Sequence, residues 1–235
     1  MIRQSDIRVF LIDGLNNTGK TTQLNLLRPR LANLGIYAAV KKGDGSRKGL
    51  GLHDYDPLST WWQRHRQEAL SAGTEGDRAK RLAAIASQKL LSELVDFKNH
   101  DFPEILSLQG LKRGVILLDR GHVSRLFVSR RFDPSITFAQ AIGIAENPDL
   151  AESLPDSVNI LHASREVLLS RTEYRDDDTK KKHFNDDVIS KYYDDFEATI
   201  YDLPPELAQK TTVVDATQTI EEVNRMVINS IQEMY

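Results

Sequence analysis

Along this 235-residue chain, short apolar runs alternate with stretches whose apolar residues recur at helical spacing. Residues 8–13 open the pattern as a strand, with Arg8-Val9-Phe10-Leu11-Ile12 rich in strand formers. Thr22-Gln23-Leu24-Asn25-Leu26-Leu27 then carries helical spacing, which predicts a helix from about Lys20 to Asn33 that stops near Gly35. Ile36-Tyr37-Ala38-Ala39-Val40 reads as a second strand, and the basic, glycine-rich stretch from Lys41 to Gly51 as a loop. Helical patterning covers Pro57 to Ala72 and Gly76 to about Asn99. Arg113-Gly114 leads into Val115-Ile116-Leu117-Leu118-Asp119, the clearest buried strand of the chain. Helices are expected over 122–131 and 137–145, a strand over Ser157 to His162, and a helix from Ser164 or Arg165 to about Arg175. Asp176 to Asp187 is strongly polar, with an acidic triplet beside a lysine triplet; Val188 to Leu203 is helical again. Thr211-Thr212-Val213-Val214-Asp215 gives the fifth strand, and Thr219 to Met234 a closing amphipathic helix. Strands alternating with helices in this way predict an α/β fold, a mostly parallel sheet covered by helices.

Composition narrows the function classes. Hydrophobic residues make up 40% and charged residues 28%, enough for a packed core in one large domain. The net charge of −3, with Lys180-Lys181-Lys182 the longest basic run, gives no support for a dedicated nucleic-acid or membrane binder. There is no cysteine, which removes disulfides, thiolate metal sites and cysteine nucleophiles together and fits a reducing, cytoplasmic setting. The segment Met1 to Asp6 lacks an apolar signal core, and no apolar run reaches a membrane-spanning length. The histidines are scattered without metal-ligand spacing.

Candidate chemistry begins where the first strand ends. Gly14-Leu15-Asn16-Asn17-Thr18-Gly19-Lys20-Thr21 spells G-x-x-x-x-G-K-[ST], the phosphate-binding P-loop, set between a strand and a helix as that motif requires. Its glycines let the backbone wrap a phosphate chain with N–H groups pointing inward, and the positive end of the following helix adds attraction for an anion. Lys20 would reach the β/γ-phosphates, and the Thr21 hydroxyl would hold Mg²⁺.

Asp119 closes an apolar strand, and Arg120 follows it. Ligands of open parallel sheets bind beyond the carboxyl ends of the strands, so Asp119 suits a Walker-B-like group beside Thr21 and Arg120 a clamp on a second phosphate. The bland alternative is a helix-capping aspartate with a solvated arginine. Arg165, Arg171 and Arg175 fall on one expected helix, with Arg171 and Arg175 four apart on one face, ahead of the polar segment 176–187. That suits a lid at about 165–187 carrying cations over a phosphoryl group and excluding water. A solvated charged hairpin is the alternative.

Together these features resemble the thymidylate kinase family of nucleoside monophosphate kinases. The likeness is carried by Phe10 to Gln23, by Val115-Ile116-Leu117-Leu118-Asp119-Arg120, by Ser164 to Arg171 and by Val213 to Glu222, in the family's order. The resemblance implies a P-loop kinase fold: a three-layer sandwich, a five-stranded parallel sheet flanked by helices, with a lid, as one domain over residues 1–235. It implies transfer of the ATP γ-phosphate to a nucleoside monophosphate, usually dTMP, with Mg²⁺. ATP would lie on Gly14, Asn16, Asn17, Thr18, Gly19, Lys20, Thr21 and Thr22, with Thr21 and Asp119 organising the metal. Arg120 would hold the acceptor phosphate, and the P-loop has no arginine of its own, so Arg171 and Arg175 would supply the catalytic cation. Asp13, Lys42, Asp44, Arg47, Gln88 and Ser124 complete the acceptor set. Relatives dimerise through helices beside the sheet, which implies a homodimer.

Three departures bear on the acceptor. Asn16 stands where many relatives carry an acid facing the sugar, Gly121 replaces a tyrosine after Asp-Arg, and residues 98–112 look like an insertion. The helix that would read the base offers Arg78, Arg81, Ser87, Gln88 and Lys89, and Trp61 or Trp62 could stack on a base. Two other readings therefore stand beside the first. One is a kinase acting on a nucleoside or a small phosphorylated metabolite; the other is a non-catalytic nucleotide-binding protein. The guanine-specifying Asn-Lys-x-Asp pattern is absent, which argues against a GTPase switch.

Overall fold

A computed structural model describes residues 6–42, 91–132, 134–145, 147–173 and 186–235. Five strands form its sheet: β1 (Ile7–Asp13), β2 (Ile36–Lys42), β3 (Arg113–Asp119), β4 (Ser157–His162) and β5 (Thr211–Asp215). They lie in the order β2-β3-β1-β4-β5, and every pairing is parallel. The α/β class, the five strands and their flanking helices are as the sequence predicts. β1 sits at the centre and is almost wholly buried, which is why it reads as a near-continuous apolar run.

Alternation along β1 supplies both faces of the sheet. Phe10 and Ile12 point toward α1 (Lys20–Asn33), which packs there with Leu24, Leu27 and Leu31. Val9 and Leu11 point the other way, into a second apolar layer with Phe97, Phe102 and Ile116. That layer is closed by α2 (Phe102–Leu108), α3 (His122–Phe132), α4 (Phe138–Ile142) and helices further along the chain. α5 (Arg165–Glu173) and α8 (Ile220–Gln232) join α1 on its side through Leu168, Val223, Val227 and Ile231. α6 (Asp186–Tyr201) and α7 (Pro205–Ala208) contribute Phe196 and Leu207 to the opposite layer. The result is a three-layer sandwich.

Several boundaries differ from the sequence pattern. β2 continues through Lys41 and Lys42, because its ladder with β3 holds to the pair Lys42–Asp119. Helix runs past Asn99: a π-helical turn at Phe97–Asp101 leads directly into α2, and Pro103 follows that turn. The 98–112 stretch thus gives two side chains to the core. Phe102 and Leu106 are fully buried, and Phe102 packs so close to Gly114 that a Cβ there would lie 2.7 Å from its ring. The expected 137–145 helix is only Phe138–Ile142, opened by the Thr137–Gln140 capping box and closed by Gly143 at φ 79°. A 3-10 helix at Pro148–Ser153 and the single turn of α7 went unseen in the pattern. The helices expected over 57–72 and from 76 to 90, and most of the 176–187 segment, lie outside the described residues.

Candidate functional site

The site grows from the turn between β1 and α1. Gly14 takes φ 140° and presses so tightly on β4 that a Cβ would stand 2.4 Å from the Leu161 carbonyl oxygen. Gly19, at φ 91°, caps α1 with no side-chain bond, and the first turn of that helix holds no acid. Its N-terminal amides therefore keep their positive field for an anion. The Thr18 hydroxyl donates to the Leu15 carbonyl at 2.9 Å. Lys20 is buried, its ammonium donating to the carbonyls of Gly14 at 2.7 Å and Leu15 at 2.6 Å. Thr21 and Thr22 are exposed on the first turn.

The carboxyl end of β3 lies beside this loop, since Asp119 pairs with Ile12 in the ladder. Asp119 is buried. Arg120 follows in the left-handed region at φ 63°, a strained setting for a side chain of its size, with its N–H donating to the Ile12 carbonyl at 3.0 Å. Its guanidinium donates to the Asn16 side-chain oxygen. Asp13 is fully buried and ties the loop to α3: it accepts from the N–H groups of Gly14 at 2.8 Å and Ser124 at 2.9 Å, from Gly121 at 3.2 Å, and from the Ser124 hydroxyl. Asp13 and Ser124 thus bond to each other, and four donors occupy the two Asp13 oxygens.

From the other side comes α5. Arg171 donates to the carbonyls of Asn17 at 3.1 Å and Ala216 at 2.6 Å. Asn17 is itself left-handed, at φ 70°. Asp13, Asn16, Asn17, Thr18, Lys20, Arg120, Ser124 and Arg171 are therefore drawn into one hydrogen-bonded neighbourhood at the carboxyl ends of β1 and β3. Three of these residues are cations, the disposition a polyphosphate chain and a second anion would need. Thr21, on the first turn of α1, and Asp119, at the end of β3, carry hard oxygen donors, the donor chemistry that suits Mg²⁺. Lys42 ends β2 opposite Asp119. Asp44, Arg47, Gln88 and Arg175, with Arg78, Arg81, Trp61 and Trp62, lie outside the described residues.

Among solved structures, this fold is similar to that of a thymidylate kinase from Candida albicans, described for its broad substrate specificity and a novel structural element. The TM-score is 0.56 over 96% of this chain and 91% of that one, at 18% identity. The likeness is one of fold. No family model and no curated protein matches the chain.

Some residues around the site carry no motif and were missed in the sequence. Thr172 is buried beside Arg171 and accepts from the Asn17 amide at 2.6 Å. His162, at the end of β4, sits 2.9 Å from the Glu197 carboxylate and 3.2 Å from the Tyr193 hydroxyl. Burial, then the hydrogen bond to Glu197, pushes the Tyr193 phenol up to about 12. Arg165 lies over the Tyr193 ring and pairs with Asp194 at 2.6 Å, so α5 and α6 are joined beside the loop. A weak sequence signal existed for Thr172 alone: it stands four residues after Leu168, on the buried stripe of α5. None of the helices among the described residues is long and apolar enough to cross a membrane.

Proposed function

We propose that this protein is an ATP-dependent kinase whose acceptor is a nucleoside monophosphate, with dTMP the first candidate. One observation carries the reading: Lys20, Arg120 and Arg171, from a P-loop, a strand end and a separate helix, converge on one loop at the carboxyl edge of a parallel sheet. The name of the fold neighbour supports it. In this reading the loop amides and Lys20 bind the β- and γ-phosphates, giving up the Gly14 and Leu15 carbonyls for phosphate oxygens. Arg120 holds the acceptor phosphate, aided by Lys42, Asp44, Arg47 and Gln88. Arg171, with Arg175, spreads positive charge over the γ-phosphoryl group in transit. Bound through Thr21 and Asp119, Mg²⁺ would neutralise charge on the β- and γ-oxygens. No general base is needed, because a phosphate-oxygen nucleophile is already ionised; it needs alignment.

A second reading, a nucleoside or other acceptor, has one observation in its favour: Asn16, a neutral side chain, holds Arg120 where many relatives place an acid. A coupled ADP assay across monophosphates and nucleosides separates the two. Turnover with a monophosphate is expected; turnover with nucleosides alone would replace the proposal, and turnover with neither would end it. Lys20→Ala should cut kcat by about 100-fold or more without changing the thermal midpoint by more than a few degrees.

A further inference from the structure

The phosphate loop and the helix that carries Arg171 are joined by a side-chain bond that no phosphate contact explains. The Thr172 hydroxyl donates to the Leu168 carbonyl one turn back at 3.0 Å. Its hydrogen is thereby spent, and its lone pair faces the Asn17 amide nitrogen at 2.6 Å. The same amide reaches the Leu168 carbonyl at 3.3 Å. Both neighbours of the Asn17 amide are thus acceptors toward it, which fixes the amide with its NH₂ toward α5. The Asn17 main-chain carbonyl in turn takes Arg171, the residue next to Thr172. Asn17 therefore meets α5 twice, once by side chain and once by backbone, and does so in a left-handed conformation that asparagine tolerates better than most residues. Thr172 is only 7% exposed, so water does not readily replace the lost partner if the bond is removed.

We infer that Thr172 is a positioning residue: its hydroxyl, acting through Asn17, clamps the phosphate loop to α5 and so fixes where the Arg171 guanidinium stands. A bridge of this kind makes the loop and α5 move as one body. The inference about activity rests on the proposed kinase reading; the clamp itself does not.

Thr172→Val keeps the shape and removes the hydroxyl; Thr172→Ser restores the hydroxyl; Asn17→Gly removes the partner while allowing the positive φ. With a monophosphate acceptor, Thr172→Val is expected to lower kcat by about 10- to 100-fold, the scale of a misplaced catalytic group. Its ADP affinity by calorimetry should stay within about threefold of wild type, and Thr172→Ser should recover kcat to a similar margin. Adding Asn17→Gly to Thr172→Val should lower kcat by clearly less than the product of the two single effects, because both changes remove the Asn17–Thr172 bond, although the glycine also loses the reach to the Leu168 carbonyl. Hydrogen exchange at the amides of 165–173 should quicken in Thr172→Val and not in Thr172→Ser. The inference is overturned by wild-type kcat and exchange in Thr172→Val, by a serine variant as impaired as the valine one, or by two changes whose effects multiply. If the wild-type protein made no ADP with any acceptor, the kinase reading would fall, and exchange in 165–173 alone would decide the clamp.

Discussion

At His122 a titratable ring is sealed where burial holds it neutral. It has no exposed surface, and its Nε2 lies 3.3 Å from the Ser153 hydroxyl, whose own hydrogen goes to the Leu150 carbonyl at 2.6 Å. Ser153 must then accept, so His122 is a neutral Nε2–H tautomer. Burial first, then the positive charges of Arg125 and Lys210, pulls its pKa down to about 3. In the unfolded chain the ring titrates near 6.5, so between that value and 3 the unfolded state binds the extra proton and stability falls as pH falls. The contribution lost from pH 7 to pH 5 is about 2 kcal/mol. Urea denaturation at the two pH values should show it, and His122→Gln should flatten that part of the slope. An equal slope in the variant would assign the pH dependence to other groups. Nothing in the sequence marks His122, because burial of a lone histidine depends on which distant residues seal it.

Among the elements, the packing of α1 on α8 shows what patterning reveals and what it hides. Val223, Val227 and Ile231 recur every four residues and predict the apolar stripe of α8, and Thr219 with Glu222 predicts its start. Hidden within that interface is a polar seam: Asn224, fully buried, donates to the Gln23 side-chain oxygen at 2.9 Å and accepts from Arg30 at 2.6 Å, while Gln23 donates to the Ile220 carbonyl at 3.2 Å. Asn224→Ala strands the buried Gln23 side-chain oxygen, while Arg30 keeps Glu221, and should cost about 1–3 kcal/mol in chemical denaturation; a loss below about 0.5 kcal/mol would mean that the seam is dispensable. Element types were legible wherever a run was local and periodic, as in β1, β3, β4 and α8. Boundaries failed where the third dimension decides. Lys41 and Lys42 look like loop residues but are held in β2 by the ladder with β3, and the helix expected to end near Asn99 is carried on by the π-helical turn at Phe97–Asp101. In the same way the P-loop was readable from eight adjacent residues. The ties that hold it, from Ser124, Arg171 and Thr172, belong to segments more than 100 positions away.

The whole molecule is a sheet with two separate apolar layers, one centred on Phe10 and Leu27, the other on Leu11 and Phe102. Small cavities cut into opposite layers, far from Leu15 which touches both, should act independently. Ile142→Val on one side and Ile231→Val on the other should each cost about 0.5–1.5 kcal/mol, and the double variant should match their sum within about 0.5 kcal/mol. A larger deviation in urea denaturation would show that strain crosses the sheet. The strand order has a different consequence, in time. β1 and its loop emerge from the ribosome before either strand that flanks β1: one neighbour begins at residue 113 and the other at residue 157. The carbonyl that seats Arg171 comes later still, at Ala216. Translation thus delivers the carbonyl that seats Arg171 after β5 itself, so the guanidinium settles against the Asn17 carbonyl only once all five strands have been made.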